Sequence, residues 1–449
     1  MRAAPTRRRL YGGAGPHGAS GGFETSVLGE GMRLHLHRTE AFATTRFDIY
    51  IRYPLQRYQN SGVALVSRLL ERGTHRLPDL LSLNRFLDDL YGASFSVGAE
   101  QFGPWQVIHL YMEVVDRRFL PGGEDLLPRA FAFLDEVLEQ PVLEDGAFAA
   151  TSVQQERAAL SQQIASYLAD RSAYAQRRCT EEMCRGEPCA LPAYGAIADL
   201  HGWQPRQLLE LHRNGLARCP IDVFICSSEE GAHLRECSRR HFGWRRDGGA
   251  VGPPPLADPG RSPCRARSIV ESQETQQGRL VLGFRTGRRL AHPRYAALAL
   301  LDLIAGGEAQ SRLYRCIRED GGLAYHVGSY LEPLCGLFYV EAGIEPRNLK
   351  ETRERVAREL EDLSTRGPSA QEVSRAQRVA VSRLGCLADD PEGLTRFTYY
   401  RLLGEADTSR TDFAQHLSAT SAADVAEAAA DLRLDTAYYL QPNPRGAAR

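Results

Sequence analysis

Arg318 and Tyr325 are the residues of this sequence whose types and spacing best suit chemistry on a carbonyl group. They lie in the run 311–325, which reads Ser-Arg-Leu-Tyr-Arg-Cys-Ile-Arg-Glu-Asp-Gly-Gly-Leu-Ala-Tyr. The run predicts a helix that ends at Asp320, a Gly-Gly turn, and a strand over 323–331. A guanidinium and a phenol at such a corner can bind a carbonyl or carboxylate oxygen. The same spacing also suits a cation that complements a helix C-terminus and an aromatic side chain that packs at a strand end.

The elements around this corner form the second copy of a duplicated pattern. In the first half, the pattern predicts a strand at 47–55, an apolar helix at 62–70, a segment at 88–97, a strand at 106–115 and a helix at 123–138. In the second half, segments of the same types follow in the same order at 279–286, 295–304, 318–327, 336–344 and 346–363. The sequence therefore predicts an α+β protein of two homologous halves, each a mixed or antiparallel sheet with helices packed on one face.

Composition sets the predicted domain limits. Residues 1–22 are rich in arginine and then in glycine, which predicts a disordered tail. Residues 23–241 form the first predicted α+β domain. Residues 242–266, which include three consecutive prolines from Pro253 to Pro255, predict a linker. Residues 267–449 form the second domain, which carries Arg318 and Tyr325.

Charge and hydropathy argue against several classes of partner. The chain of 449 residues has a formal net charge of −1 at pH 7, so no overall field attracts nucleic acid or an anionic membrane. No stretch approaches the ~20 apolar residues of a membrane-spanning helix, and the start of the chain does not resemble a secretory signal. We therefore expect a soluble, cytoplasmic protein that binds neither nucleic acid nor membrane.

The cysteines and histidines do not predict a metal site. Ten cysteines are scattered along the chain, and Cys179, Cys184 and Cys189 follow one another at a spacing of five, which suits no usual zinc knuckle. We interpret them as ordinary reduced cysteines of a cytosolic protein. His35 and His37 alternate on one strand and could offer two ligands, but a half-exposed strand pair is the simpler interpretation because no third ligand is near in sequence.

Other polar residues near the corner have simpler interpretations. Arg312 and Arg315 precede Arg318 at three-residue spacing, which predicts a basic stripe on one helix face. A solvated face or a subunit contact explains Arg312 and Arg315, with the binding of an acidic peptide as the alternative. His326 follows Tyr325 and would point to the opposite face of a regular strand, as a packed or solvated residue.

The duplicated arrangement and the run Ser-Arg-Leu-Tyr-x-x-x-Arg-Glu-x-x-Gly-Leu-Ala-Tyr resemble the pitrilysin/insulinase-type zinc metallopeptidases. The resemblance covers the chain from about residue 24 to about residue 441. It implies that Arg318 and Tyr325 reach across to a metal site on a first half, hold the substrate carbonyl and its C-terminal side, and stabilise the tetrahedral intermediate.

The first half departs from this family at the metal site. Active members carry His-x-x-Glu-His on the helix that corresponds to 62–70, followed by Gly-Thr. Gly73-Thr74 is present, but the motif positions fall on Ala64, Ser67 and Arg68. The third ligand, a glutamate, would be expected on the helix 153–164, where the corresponding positions read Gln162-Gln163, with Glu156 nearby. Ala64, Ser67 and Arg68 supply neither a zinc ligand nor a general base. We therefore expect that the chain holds no catalytic zinc and does not hydrolyse peptides alone.

An intact Arg–Tyr pair without the metal residues resembles the metal-free subunit of a bacterial two-chain peptidase. The resemblance implies a paralogous partner that carries His-x-x-Glu-His and zinc, and a substrate of short or unfolded peptides, with leader segments of modified peptides as one class. Two alternatives stay open. The first is a catalytically inactive scaffold or peptide-binding pseudoenzyme. The second is a homodimeric metal-independent enzyme, for which the sequence offers no evident nucleophile–base pair.

Overall fold

The first half of the chain carries a six-stranded sheet. A computed structural model describes residues 22–244, 251–252, 254, 258, 265–275 and 277–443. The strands of the first half, of which β6 and β7 form a separate pair, are β1 (Glu24–Gly29), β2 (Met32–Arg38), β3 (Thr44–Pro54), β4 (Ser94–Phe102), β5 (Trp105–Val115), β6 (Leu143–Glu144), β7 (Ala147–Phe148) and β8 (Ile221–Ser227). The sheet order is β1-β2-β8-β3-β5-β4, and only β2 and β8 run parallel.

The helices of the first half are α1 (Gln59–Leu70), α2 (Leu80–Asp88), α3 (Leu127–Glu139), α4 (Ala150–Ala169), α5 (Arg171–Met183), α6 (Ile197–Leu200), α7 (Pro205–Arg218) and α8 (Gly231–Phe242). All of them except α5 contribute to the core on one face of this sheet. The helix α1 is buried almost all round, with ten buried residues. Its core contacts include Ile49 and Ile51 of β3, which alternate toward this face.

The second half repeats this architecture with a five-stranded sheet. Its strands are β9 (Arg267–Gln273), β10 (Gly278–Arg285), β11 (Ala324–Glu332), β12 (Leu337–Ile344) and β13 (Arg433–Pro442). Its helices are α9 (Tyr295–Ala305), α10 (Leu349–Thr365), α11 (Ala370–Cys386), α12 (Pro391–Leu403), α13 (Arg410–Ala419) and α14 (Ala422–Asp431). Capping boxes begin α11 at Ser369 and α14 at Ser421, as the sequence predicts.

The two sheets match strand for strand. The order β11-β12-β10-β13-β9 corresponds to β4-β5-β3-β8-β2, and the parallel pair β13–β9 corresponds to β8–β2. The prediction of two α+β halves with mixed sheets is therefore confirmed. The sequence did not predict the strands β1 and β9 or the helices α7 and α8. Apart from Gly22, the predicted tail lies outside the described residues, as does most of the predicted linker. Within the described residues, no helix is both long enough and apolar enough to cross a membrane.

Each sheet also receives one helix from the other half on its second face, an arrangement that we call the helix exchange. The first half supplies α5, which lies on the second sheet, where the Thr180 hydroxyl is 2.9 Å from the Tyr339 hydroxyl. The second half supplies α12, which lies on the first sheet, where Tyr399 stacks on Tyr50 with ring centroids 4.1 Å apart. Buried apolar residues of both halves surround each contact, so the two halves share their apolar interior.

We predict that Tyr399→Ala lowers the free energy of unfolding by about 3–5 kcal/mol, because it empties an aromatic site against the first sheet. Urea denaturation followed by circular dichroism measures this change. Tyr325→Ala is the matched control: its side chain is 60% exposed, so the change should stay within about 0.5 kcal/mol. Equal effects of the two substitutions would contradict the helix exchange as a source of stability.

Candidate functional site

Arg318 lies on a widened helical turn. Residues Tyr314–Glu319 form a π-helical turn in place of the regular helix that the sequence predicts, and the Asp320 amide donates to the Arg315 carbonyl at 2.9 Å. Ile317 anchors the turn because its side chain is fully buried. Single π-helical turns are rare and occur frequently at functional sites. The turn leaves Arg318 exposed to solvent.

The Gly-Gly pair closes this turn, as predicted. Gly322 has a φ of 57°, in the left-handed region that favours glycine. A Cβ at Gly321 would lie 2.7 Å from the Cys316 carbonyl oxygen, so a side chain does not fit there. The Gly322 amide donates to the Arg318 carbonyl at 3.2 Å. This bond fixes the path of the chain between Arg318 and the strand that carries Tyr325.

Tyr325 lies on a β-bulge at the start of β11. Ala324 pairs with Ile344 and His326 pairs with Gly343, so Tyr325 is the extra residue of the strand. Bulges re-aim side chains and occur often beside active sites. Tyr325 is 60% exposed, and its hydroxyl lies 3.4 Å from a Glu345 carboxylate oxygen. The expectation for His326 assumed a regular strand and does not apply, because the bulge interrupts the alternation. His326 is also exposed, and its Nε2 lies 3.1 Å from Glu341.

The guanidinium of Arg318 is available to a ligand. Its Nη1 donates to the Tyr314 hydroxyl at 2.5 Å, and its Cζ lies 4.8 Å from the centre of the Tyr314 ring. This cation–π contact orients the side chain without neutralising its charge. Among the described residues, no carboxylate forms an ion pair with Arg318. A guanidinium held in this way can bind a carboxylate or a developing oxyanion.

Arg312 and Arg315 have different surroundings. Arg312 is half-buried, with hydrogen bonds to Glu372 at 2.7 Å and to Asp362 at 2.6 Å. It therefore holds α10 and α11 against the widened turn and does not offer its charge to a peptide. Arg315 is exposed, and its Nη2 lies 3.8 Å from Glu372. The predicted basic stripe thus contains only one cation, Arg318, that no carboxylate of the described residues approaches.

The helices α1 and α4 pack together at the position of the family's metal site. Ser67 donates to the Ala64 carbonyl at 2.9 Å. Arg68 donates through Nε to Glu156 at 2.8 Å and through Nη1 to Gln163 at 3.2 Å. Arg72 donates to the other Glu156 oxygen at 2.7 Å. Two guanidinium groups therefore hold the Glu156 carboxylate, and the neighbouring motif positions carry an alanine and a serine. This donor set does not fit zinc.

His35 and His37 do not form a shared ligand pair. His35 is buried between Thr25 and Asp222, with its ring nitrogens 2.9 Å and 3.1 Å from their oxygens. Burial lowers the pKa of His35, and it outweighs the hydrogen bond to Asp222, which raises that pKa. The surroundings of His37 differ, because its Nδ1 lies 2.8 Å from the Gly22 carbonyl oxygen. The two histidines therefore serve the packing of the sheet edge.

We predict that Glu156→Ala lowers the free energy of unfolding by about 1–2 kcal/mol, because it leaves two guanidinium groups facing each other. Chemical denaturation of the purified chain measures the change. Glu210→Ala is the control, since Glu210 is 60% exposed and pairs with Arg206 at 3.5 Å, and it should change stability by less than about 0.5 kcal/mol. An effect of Glu156→Ala no larger than the control would rule out the ion pair as a link between α1 and α4.

Comparison with known proteins supports the family resemblance. The family model described as "Peptidase M16 inactive domain" matches residues 204–379. The chain is 26% identical over 411 residues to the "Probable inactive metalloprotease YmfF" of Bacillus subtilis (strain 168), which covers 92% of this chain and 96% of that protein.

Solved structures share the fold at lower sequence identity. A conserved protein from Enterococcus faecalis V583 superposes with a TM-score of 0.86 at 22% identity, over 94% of this chain and 99% of that chain. A peptidase M16 inactive domain from Pseudomonas fluorescens superposes with a TM-score of 0.74 at 17% identity, over 94% and 98% of the two chains. These likenesses establish the two-half architecture, and the name of the Bacillus subtilis relative agrees with a chain that lacks the catalytic zinc residues.

Proposed function

We propose that this chain, which belongs to the peptidase M16 family as a member without the catalytic zinc motif, is one subunit of a two-chain zinc metallopeptidase. A paralogous partner with His-x-x-Glu-His would supply the zinc, the attacking water and the general base. This chain would supply Arg318 and Tyr325, which bind the peptide and stabilise the tetrahedral intermediate. The substrates would be short or unfolded peptides enclosed between the two chains, in the cytoplasm.

The observation that carries this proposal is the exposure of two donors at an irregular corner. Arg318 lies on a π-helical turn and Tyr325 on a β-bulge, and both side chains point into solvent. Irregular backbone costs stability relative to a regular helix and strand, and it occurs where a side chain must be aimed. A purely structural chain has little use for two exposed donors that irregular backbone aims to one corner.

The chemistry of the two side chains suits the charge that develops during peptide hydrolysis. Attack on the scissile carbonyl places negative charge on its oxygen, and fixed N–H and O–H donors stabilise that charge. Arg318 provides a permanently charged guanidinium with several N–H donors. Tyr325 provides a hydroxyl, which lies 3.4 Å from a Glu345 carboxylate oxygen. The guanidinium can also bind the carboxylate end of a short peptide.

An inactive scaffold or peptide-binding protein is the second candidate. The descriptions of the matching family model and of the Bacillus subtilis relative favour it, since both carry the word "inactive". In this case, the chain would hold a peptide or a partner without contributing to cleavage.

The deciding experiment is a peptidase assay with a quenched fluorescent peptide library. We would assay this chain, a His-x-x-Glu-His paralogue from the same genome, and their mixture, each with and without a chelator. We expect activity in the mixture only, and its loss with chelator. A mixture no more active than the paralogue alone would favour the scaffold.

We predict that Arg318→Ala and Tyr325→Phe each lower kcat of the mixture by about 10²–10³, because each removes one donor to the oxyanion. Association of the two chains, measured by analytical ultracentrifugation, should not change. Arg315→Ala is the matched control: it removes an exposed cation from the same helical turn and should leave the rate within about twofold. Wild-type rates from the Arg318 and Tyr325 variants would remove the assigned roles.

A further inference from the structure

Three buried cysteines meet where the helix exchange brings α5 onto the second sheet. Cys184 follows the last residue of α5, and Cys189 lies in the short helical turn Pro188–Ala190. Cys335 lies in the connection between β11 and β12, in the other half of the chain. Their exposed fractions are 0%, 8% and 4%. None of them has a role in the proposed function, which acts at the corner of Arg318 and Tyr325.

The donor atoms at this place are close together. The sulfurs of Cys184 and Cys189 and a carboxylate oxygen of Glu187 all lie within 4.8 Å of one another. Cys335 lies beside Cys189 but outside the set of donors that are all within 4.8 Å of one another. Zinc–sulfur bonds of about 2.3 Å at tetrahedral angles place two sulfurs about 3.8 Å apart. Cys184, Glu187 and Cys189 therefore need to shift by about 1 Å to surround an ion, and Cys335 has to move closer to complete the set.

We propose that Cys184, Cys189, Cys335 and Glu187 form a tetrahedral site for a divalent cation of the zinc type. Three sulfurs and one oxygen form a four-ligand set that leaves no position for substrate, which is the pattern of a structural site. The site is distinct from the position between α1 and α4, where the donor set does not fit zinc. Among the described residues, no other three His, Cys, Asp or Glu donors converge in this way.

The surroundings of the four ligands suit a bound cation. Arg285 is 3% exposed and donates to both Glu187 oxygens, at 2.6 Å and 3.0 Å. This pairing fixes the carboxylate and offsets part of the negative charge that three thiolates and a carboxylate would bring. Glu332 accepts a hydrogen bond from the Cys335 amide at 2.5 Å, which holds the turn that presents the third sulfur.

A route for the ion exists. Cys189 lines a cavity of about 420 Å³ between the two halves, together with Tyr194 and Tyr330. An ion can therefore reach Cys189, the first of the sulfurs, from this cavity. Because two ligating cysteines follow α5 and the third belongs to the second half, a bound ion would link the two halves directly. Its role would be to hold the helix exchange in place.

Cobalt binding to the reduced, metal-free full chain tests this site. We expect equimolar binding of Co²⁺, with sulfur-to-cobalt charge-transfer absorption in the near ultraviolet and strong visible bands of a tetrahedral ion. Zinc should displace the cobalt. Cys184→Ser and Cys335→Ser should each weaken binding by at least about tenfold. Cys386→Ser is the control and should bind as the wild type does, because Cys386 is exposed and lies outside the group.

A second measurement on the wild-type chain does not depend on the folding of variants. Zinc should protect Cys184, Cys189 and Cys335 from alkylation, as read by peptide mass spectrometry, while Cys386 stays reactive. Three results would overturn the proposal. These are cobalt binding without sulfur charge transfer, equal alkylation with and without zinc, and a disulfide between two of the three cysteines in the freshly purified protein.

Discussion

The helix exchange is the contact on which the rest of this structure depends. Each sheet has one face covered by helices of its own half and a second face that only the other half can cover, through α5 on one side and α12 on the other. Neither half can bury both faces of its sheet without the other. The polar contacts follow the same pattern, since Arg396 of α12 donates to Glu100 of β4 at 2.5 Å. The two halves therefore form one stable unit with a shared interior.

That rigidity is what the irregular corner requires. A π-helical turn and a β-bulge persist only where the surrounding packing determines them. Ile317 is buried beneath the turn, and Asn348 donates to the Leu323 carbonyl at 3.0 Å, directly before the bulge. Arg312 fastens the start of the run to α10 and α11. The run 311–325 therefore has two parts: buried or ion-paired residues that hold the backbone, and Arg318 and Tyr325, which that backbone presents to solvent.

The features that the sequence could predict are the local and the repeated ones. Capping boxes, the Gly-Gly turn and the order of strands and helices follow from neighbours in the chain, and the duplication reinforces them. The π-helical turn and the bulge could not be predicted, because tertiary packing overrides the regular pattern there. Strand β1 was missed because its edge position leaves it largely exposed, without clear alternation. Cys184 and Cys189 lie near Cys335 only because of the helix exchange, and no local spacing in the sequence predicts such a contact.

The contrast between the two halves favours a division of labour between chains. Where the sequence resemblance expects the metal in the first half, Arg68 and Arg72 bind Glu156 and join α1 to α4. These ion pairs stabilise the fold. At the corner of the second half, Arg318 has no such internal carboxylate among the described residues. If both sites had lost their function, the same drift toward internal pairing would be expected at both. The asymmetry supports the role that we propose for the corner, and in that proposal the zinc comes from another chain.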